Sequence, residues 1–170
     1  MKKFDSVRFH KGFLNGEHQS AFAVDEKHLS DAEREALLLF IHYVVNSKEH
    51  DGSNKQSGKA FGHEFDDKKT QRLYREQNAW HYHCGPSYNL QADYQPTDWY
   101  LPENNLGKES PEVIHYSLKQ LALGTKPVSI MGFSRNHIPF LSSSDPNNPL
   151  RTRFSTPNES VEHWGGKEGA

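Results

Sequence analysis

The sequence of 170 residues holds one cysteine, Cys84, and that scarcity excludes two architectures at once. A disulfide framework needs pairs and a cysteine-rich zinc module needs several thiolates, so neither is open to this chain. No sign of charge dominates either. The formal net charge of −2 gives no global electrostatic signature of a nucleic-acid or membrane binder. Long apolar runs are missing, and none approaches the roughly 20 residues of a membrane-spanning helix. The opening MKKFDSVRFHKGF has basic residues but no apolar stretch behind them, so no secretory signal is expected. A reducing, cytoplasmic setting without membrane contact is the simplest expectation.

What is present suffices for one folded domain. Charged residues make up 25%, but aromatics reach 12%, enough large side chains to close a core at this length. SVRFHKGFL alternates like a strand. In SDAEREALLLFIHYVVN, Ser30 and Glu33 form an S-x-x-E capping box, and Leu37, Phe40, Ile41, Val44 and Val45 recur on one helical face. The spacing predicts a helix over 31–46. SKEHDGSNKQSGK has no periodicity and reads as a flexible loop, whereas RLYREQNAWHYHC reads as a strand with a turn near Gln77 and Asn78. Residues 86–111, rich in proline, asparagine and aromatics, form a long loop of the kind that is usually functional or inserted. EVIHYSLKQL and KPVSIMGF read as two further strands, joined in a hairpin around Gly124 and Thr125. SRNHIPFLSSSDPNNPLRTRF is a polar segment with aromatic anchors, and residues 155–170 are expected to be a polar, flexible tail. No internal repeat is seen. Strand, helix, then several strands predicts an α+β domain over 1–154.

NAWHYHCGPSY carries the most chemistry. On a strand, Ala79, His81 and His83 share one face and Trp80, Tyr82 and Cys84 the other. The apolar set belongs to the core, which leaves the histidines on the polar face. Three readings stay open: an ordinary solvated strand face, a pair of acid–base groups, or two metal ligands. The metal reading needs a third ligand, for which His115 and His137 are the candidates. Charge is uneven around this strand. Four basic residues, Lys68, Lys69, Arg72 and Arg75, precede it, and six basic residues stand against three acids between Lys108 and Arg153.

LSDAEREALLLFIHYVVN, then FGHEFDD, AWHYHCG and VSIMGFSRNHIPF, follow an order that resembles the RelE superfamily of bacterial toxins. Within it, the YafO-type ribosome-dependent mRNA interferases are the likeness. The resemblance spans most of residues 29–154 and implies a RelE-like antiparallel sheet with one or more helices packed on one face. It further implies a metal-independent endoribonuclease that needs no cofactor, cleaves mRNA on the ribosome and is silenced by a cognate antitoxin protein. Cleavage of that kind needs a base for the 2′-OH, cations for the transition state and an acid for the leaving oxygen. On this reading His81 or His83 is the base or acid, His137 the second proton carrier, and Arg135 the oxyanion stabiliser. Arg151 or Arg153 would hold phosphate oxygens, with Lys68, Lys69, Arg72 and Arg75 as a basic run beside them. Tyr88 or Phe140 would stack on a splayed base. Two other classes compete: a non-catalytic protein-binding module using loop 86–111 and the acidic tail, and a small histidine-dependent metallohydrolase.

Overall fold

The structure, a computed structural model, describes residues 6–46, 52–58, 68–88, 107–119, 127–138 and 140–162. Most of loop 86–111, the expected turn at Gly124 and Thr125, and the last residues of the tail lie outside them. Among the described residues six strands form one sheet: β1 Ser6–His10, β2 Ser53–Gln56, β3 Ala79–His83, β4 Val113–Ser117, β5 Pro127–Ser134 and β6 Ser160–Glu162, in the order β2-β3-β4-β5-β1-β6. The helices are α1 Lys11–Asn15, α2 Asp31–Asn46, α3 Lys68–Glu76 and α4 Leu150–Ser155, and the class is α+β as expected.

The predicted helix is α2, and its capping box is made in both directions. Ser30 N–H donates to Glu33 Oε2 at 2.8 Å and Glu33 N–H to Ser30 Oγ at 3.2 Å. Its inner face lays Phe40 against Tyr82 and Tyr116, with ring centroids 4.8 and 5.1 Å apart. Val7, Phe9, Trp80, Cys84, Ile114, Val128, Ile130 and Phe133 complete this aromatic core. The strand face assigned to the core in AWHYHC is therefore the buried aromatic one.

Several expectations are corrected. The sheet is mixed, because β1 runs parallel to β5 in a register from Ser6↔Pro127 to Phe9↔Ile130. Both faces are covered: Tyr74 of α3 and Leu150 and Phe154 of α4 form a second core with Phe22, Ala79, Met131 and Phe140. The expected strand from Arg72 is helical as far as Glu76, within α3; Thr70, Leu73 and Tyr74 turn inward at helical spacing. The turn at Gln77 and Asn78 falls where expected, with Asn78 at φ 47°. The polar stretch SNKQ is strand β2, held by pairing with β3 and by Tyr116 O–H donating to Asn54 Oδ1. The polar segment before Phe154 ends in α4. Part of the expected flexible tail is instead β6, antiparallel to β1 from Arg8↔Glu162 to His10↔Ser160.

A register shift in β5 sets up the second face. Tyr116 pairs with Ile130 but His115 with Gly132, so Met131 is an extra residue. The shift lets Ile130 and Phe133 both serve the aromatic core while Met131 joins the other one. At Gly132 a Cβ would stand 3.2 Å from Leu150 Cδ2, so α4 sits close over β5 there.

Candidate metal centre

β3 projects His81 and His83 from the same face, and the β2–β3–β4 register sets His81 between Lys55 and His115. His137 arrives from beyond the end of β5. Arg135 N–H and Asn136 N–H both donate to Ala21 O, at 2.8 and 2.9 Å, and His137 N–H donates to Pro111 O at 3.3 Å. This turn brings the His137 ring within 5.4 Å of His81 and 4.8 Å of His83, while His81 and His83 stand 5.2 Å apart, centroid to centroid. One ring nitrogen from each lies within 4.8 Å of the others.

Strand period puts His81 and His83 on the polar face, for which a solvated surface is one of three readings. His81, His83 and His137 are only 1, 4 and 2% exposed. The second core covers them: Phe140 lies 5.7 Å from the His81 ring, 6.2 Å from His137, and 5.7 Å from Tyr74 of α3.

Each imidazole is held through Nδ1. His83 Nδ1–H donates to Ser110 O at 2.7 Å and His137 Nδ1–H to Pro111 O at 3.0 Å. A carbonyl only accepts, so these tautomers leave Nε2 as the bare lone pair. Ser57 Oγ lies 2.9 Å from His81 Nδ1. His83 Nε2 is fully buried and has no hydrogen-bond partner. This is the supporting shell that metal-binding histidines use: one nitrogen anchored to the protein, the other directed at the ion. His115 differs, because its Nε2 is satisfied by Ser134 Oγ at 2.7 Å, and that hydroxyl donates onward to Phe22 O.

Burial holds all four rings neutral. Desolvation, with repulsion from the neighbouring imidazoles, takes His83 and His115 down to about 3 and His81 well below its ordinary value. His137 is lowered mainly by desolvation. Neutral imidazole is the metal-ligating form. The near-neutral titration on which a proton-carrier role depends is not what this burial gives.

The other candidate residues lie elsewhere. Arg135 does not join the histidines. Its Nε and Nη2 donate to Glu33 Oε1 and Oε2 at 2.6 and 3.2 Å, and Nη2 also to His28 O at 3.0 Å, so it ties the end of β5 to the start of α2. Arg153, expected on phosphate, is 4% exposed. It pairs with the fully buried Asp25 at 2.8 Å and donates to Met131 O and Gly12 O. Asp25 Oδ2 also accepts from His18 N–H at 2.9 Å and lies 3.1 Å from His18 Nδ1. Phe140 is buried in the second core, out of reach of any splayed base. Tyr88 packs beneath Lys108 Nζ, 5.6 Å from its ring centre, and lines a groove against α2 with Cys84 and Tyr82. Lys68, Lys69, Arg72 and Arg75 are exposed on α3, and Arg151 is exposed on α4.

The supporting residues Ser57, Ser110 and Pro111 carry no signal in the sequence, since they act through a hydroxyl or backbone oxygens that only the fold brings near. Among the described residues no helix is long and apolar enough to cross a membrane. The arrangement defines an α+β chain with a buried three-histidine cluster. Comparison with protein-family models, curated proteins and solved structures finds no match, and nothing in it identifies a RelE-superfamily member.

Proposed function

We propose that this chain is a zinc-class metalloprotein whose ion is bound by His81, His83 and His137, and that it works as a small metallohydrolase. The observation that carries the reading is His83 Nε2: a buried lone pair without a partner, beside two more neutral imidazoles whose Nδ1 atoms are already engaged. An unpaired buried polar atom is costly, and an ion bound there would offset that cost. Zinc–imidazole bonds of roughly 2.0–2.1 Å require the three nitrogens, now within 4.8 Å of one another, to close to about 3.3 Å. Three protein ligands are also the set that catalytic zinc sites use, with a further position for water or substrate.

The test is a zinc titration of the purified chain, with hydrolysis of chromogenic ester and phosphodiester substrates followed before and after chelation. One ion per chain is expected, lost in His83→Ala, with hydrolysis abolished by chelator and restored by zinc. At zinc 100-fold above Kd the wild-type protein should gain about 2.7 kcal/mol of stability and the variant none. A chain that binds no zinc overturns the proposal. Cleavage of added RNA that persists in chelator would favour the metal-independent endoribonuclease instead. The supporting observation for that second reading is the row of exposed basic side chains on α3.

A further inference from the structure

Residues 109–111 serve the cluster three times in succession. Pro111 and Ser110 supply the carbonyls that anchor His137 and His83, and Glu109 forms an ion pair with Lys55 Nζ. Lys55 lies directly across from His81 in the β2–β3 register, on an edge strand of the sheet. This ion pair stands at the rim of the buried imidazoles, with Lys55 23% and Glu109 48% exposed. Both charges act on His83 and His137. The other described carboxylates nearby are committed elsewhere: Glu112 accepts from Ser87 N–H, Glu33 holds Arg135, and Asp25 holds Arg153.

A dication among three neutral ligands in a dry site is under-compensated, and burying such charge without a counter-charge is expensive. Glu109 lies outside the set of three histidine nitrogens and would reach the ion by leaving Lys55. An arriving dication attracts this carboxylate and repels the Lys55 ammonium, whose edge-strand position lets it swing into water. Resting on the three-histidine reading, we infer that Glu109 is the exchangeable fourth ligand of that ion, and that Lys55 competes for its carboxylate. The two rim residues together decide whether the fourth position is closed by protein or open to water. No new bond type is required: a carboxylate oxygen trades an ammonium partner for a metal one.

The experiment uses the full chain and the metal alone. Zinc affinity is measured by competition with a chromophoric chelator, and cobalt spectra are recorded across pH. Glu109→Gln should weaken zinc binding roughly 10- to 100-fold, the usual cost of losing a group that supports a metal site. Its cobalt spectrum should show a transition near neutral pH from the ionisation of a metal-bound water, larger than in the wild type, where Glu109 holds that position part of the time. Lys55→Met should move the other way, tightening binding by up to about 5-fold, because a partly exposed ion pair is worth at most about 1 kcal/mol. Opposite directions from the two variants separate ligand exchange from general damage to the fold. Zinc binding and cobalt spectra unchanged in Glu109→Gln would overturn the assignment of Glu109 while leaving the three histidines standing. Failure of the wild-type chain to bind zinc would remove both.

Discussion

Among the described residues, two of the buried polar clusters differ in how their atoms are partnered. Around Asp25 each charge is opposed: Oδ1 stands 2.8 Å from Arg153 Nη2 in an ion pair without hydrogen-bonding geometry, Oδ2 accepts from His18 N–H, and the guanidinium also caps two backbone carbonyls. His83 Nε2 has neither an ion pair nor a hydrogen bond. Three imidazoles crowd together with their outer nitrogens anchored and one inner nitrogen left bare. The ion-paired network fastens α4 to β5 and α1; the histidine cluster holds no charge of either sign and matches the metal site proposed above. The difference separates a cluster built on opposed charges from one built on neutral rings.

The largest effect should come from unbalancing the ion-paired cluster. Arg153→Met leaves the Asp25 carboxylate buried without its cation and two carbonyls uncapped, and should cost about 5 kcal/mol in urea unfolding. A loss below about 1 kcal/mol would erase the contrast between the clusters.

Mild acid should act next, and on the histidine side. His83 and His115 stay neutral in the folded chain down to about 3, whereas the unfolded chain takes up protons near 6.5. The unfolded state therefore binds more protons between those values, and stability falls as pH drops through that window. At pH 5 each of the two should cost about 2 kcal/mol relative to neutral pH, read from urea midpoints at a series of pH values. A flat profile from pH 7 to 5 would mean that these rings are not held neutral.

The smallest effect is expected at Arg135, whose side chain is 42% exposed in its pair with Glu33. Arg135→Ala should cost at most about 1 kcal/mol and leave zinc affinity unchanged. Loss of metal binding in this variant would place Arg135 in the centre after all.

How much of this could be read in advance follows from where each signal resides. α2 was legible because Ser30, Glu33 and its apolar spacing are all local to it. The inward set Trp80, Tyr82 and Cys84 was legible because strand period alone separates it from the histidines. The burial of those histidines was not, since it comes from α3, α4 and Phe140, which the period of β3 does not report. β2 escaped notice because SNKQ contains no apolar residue and gains its place from its partner strand. His115 and His137 both stood as possible third ligands. The choice between them depends on Ser134, which satisfies one, and on the turn at Pro111, which delivers the other.

The three-residue strand β6 has a consequence of its own. It lies along the outer side of β1, and the opposite border of the sheet is the four-residue polar strand β2. Borders this short offer little backbone for a second chain to pair with. Trimmed after Phe154, the chain would keep the described core residues but bare the outer hydrogen-bonding row of the five-residue strand SVRFH, with Val7 and Phe9 in it. Such a row invites strand-by-strand growth into aggregates. The last stretch of the sheet thus guards solubility more than it adds to the packing of the interior.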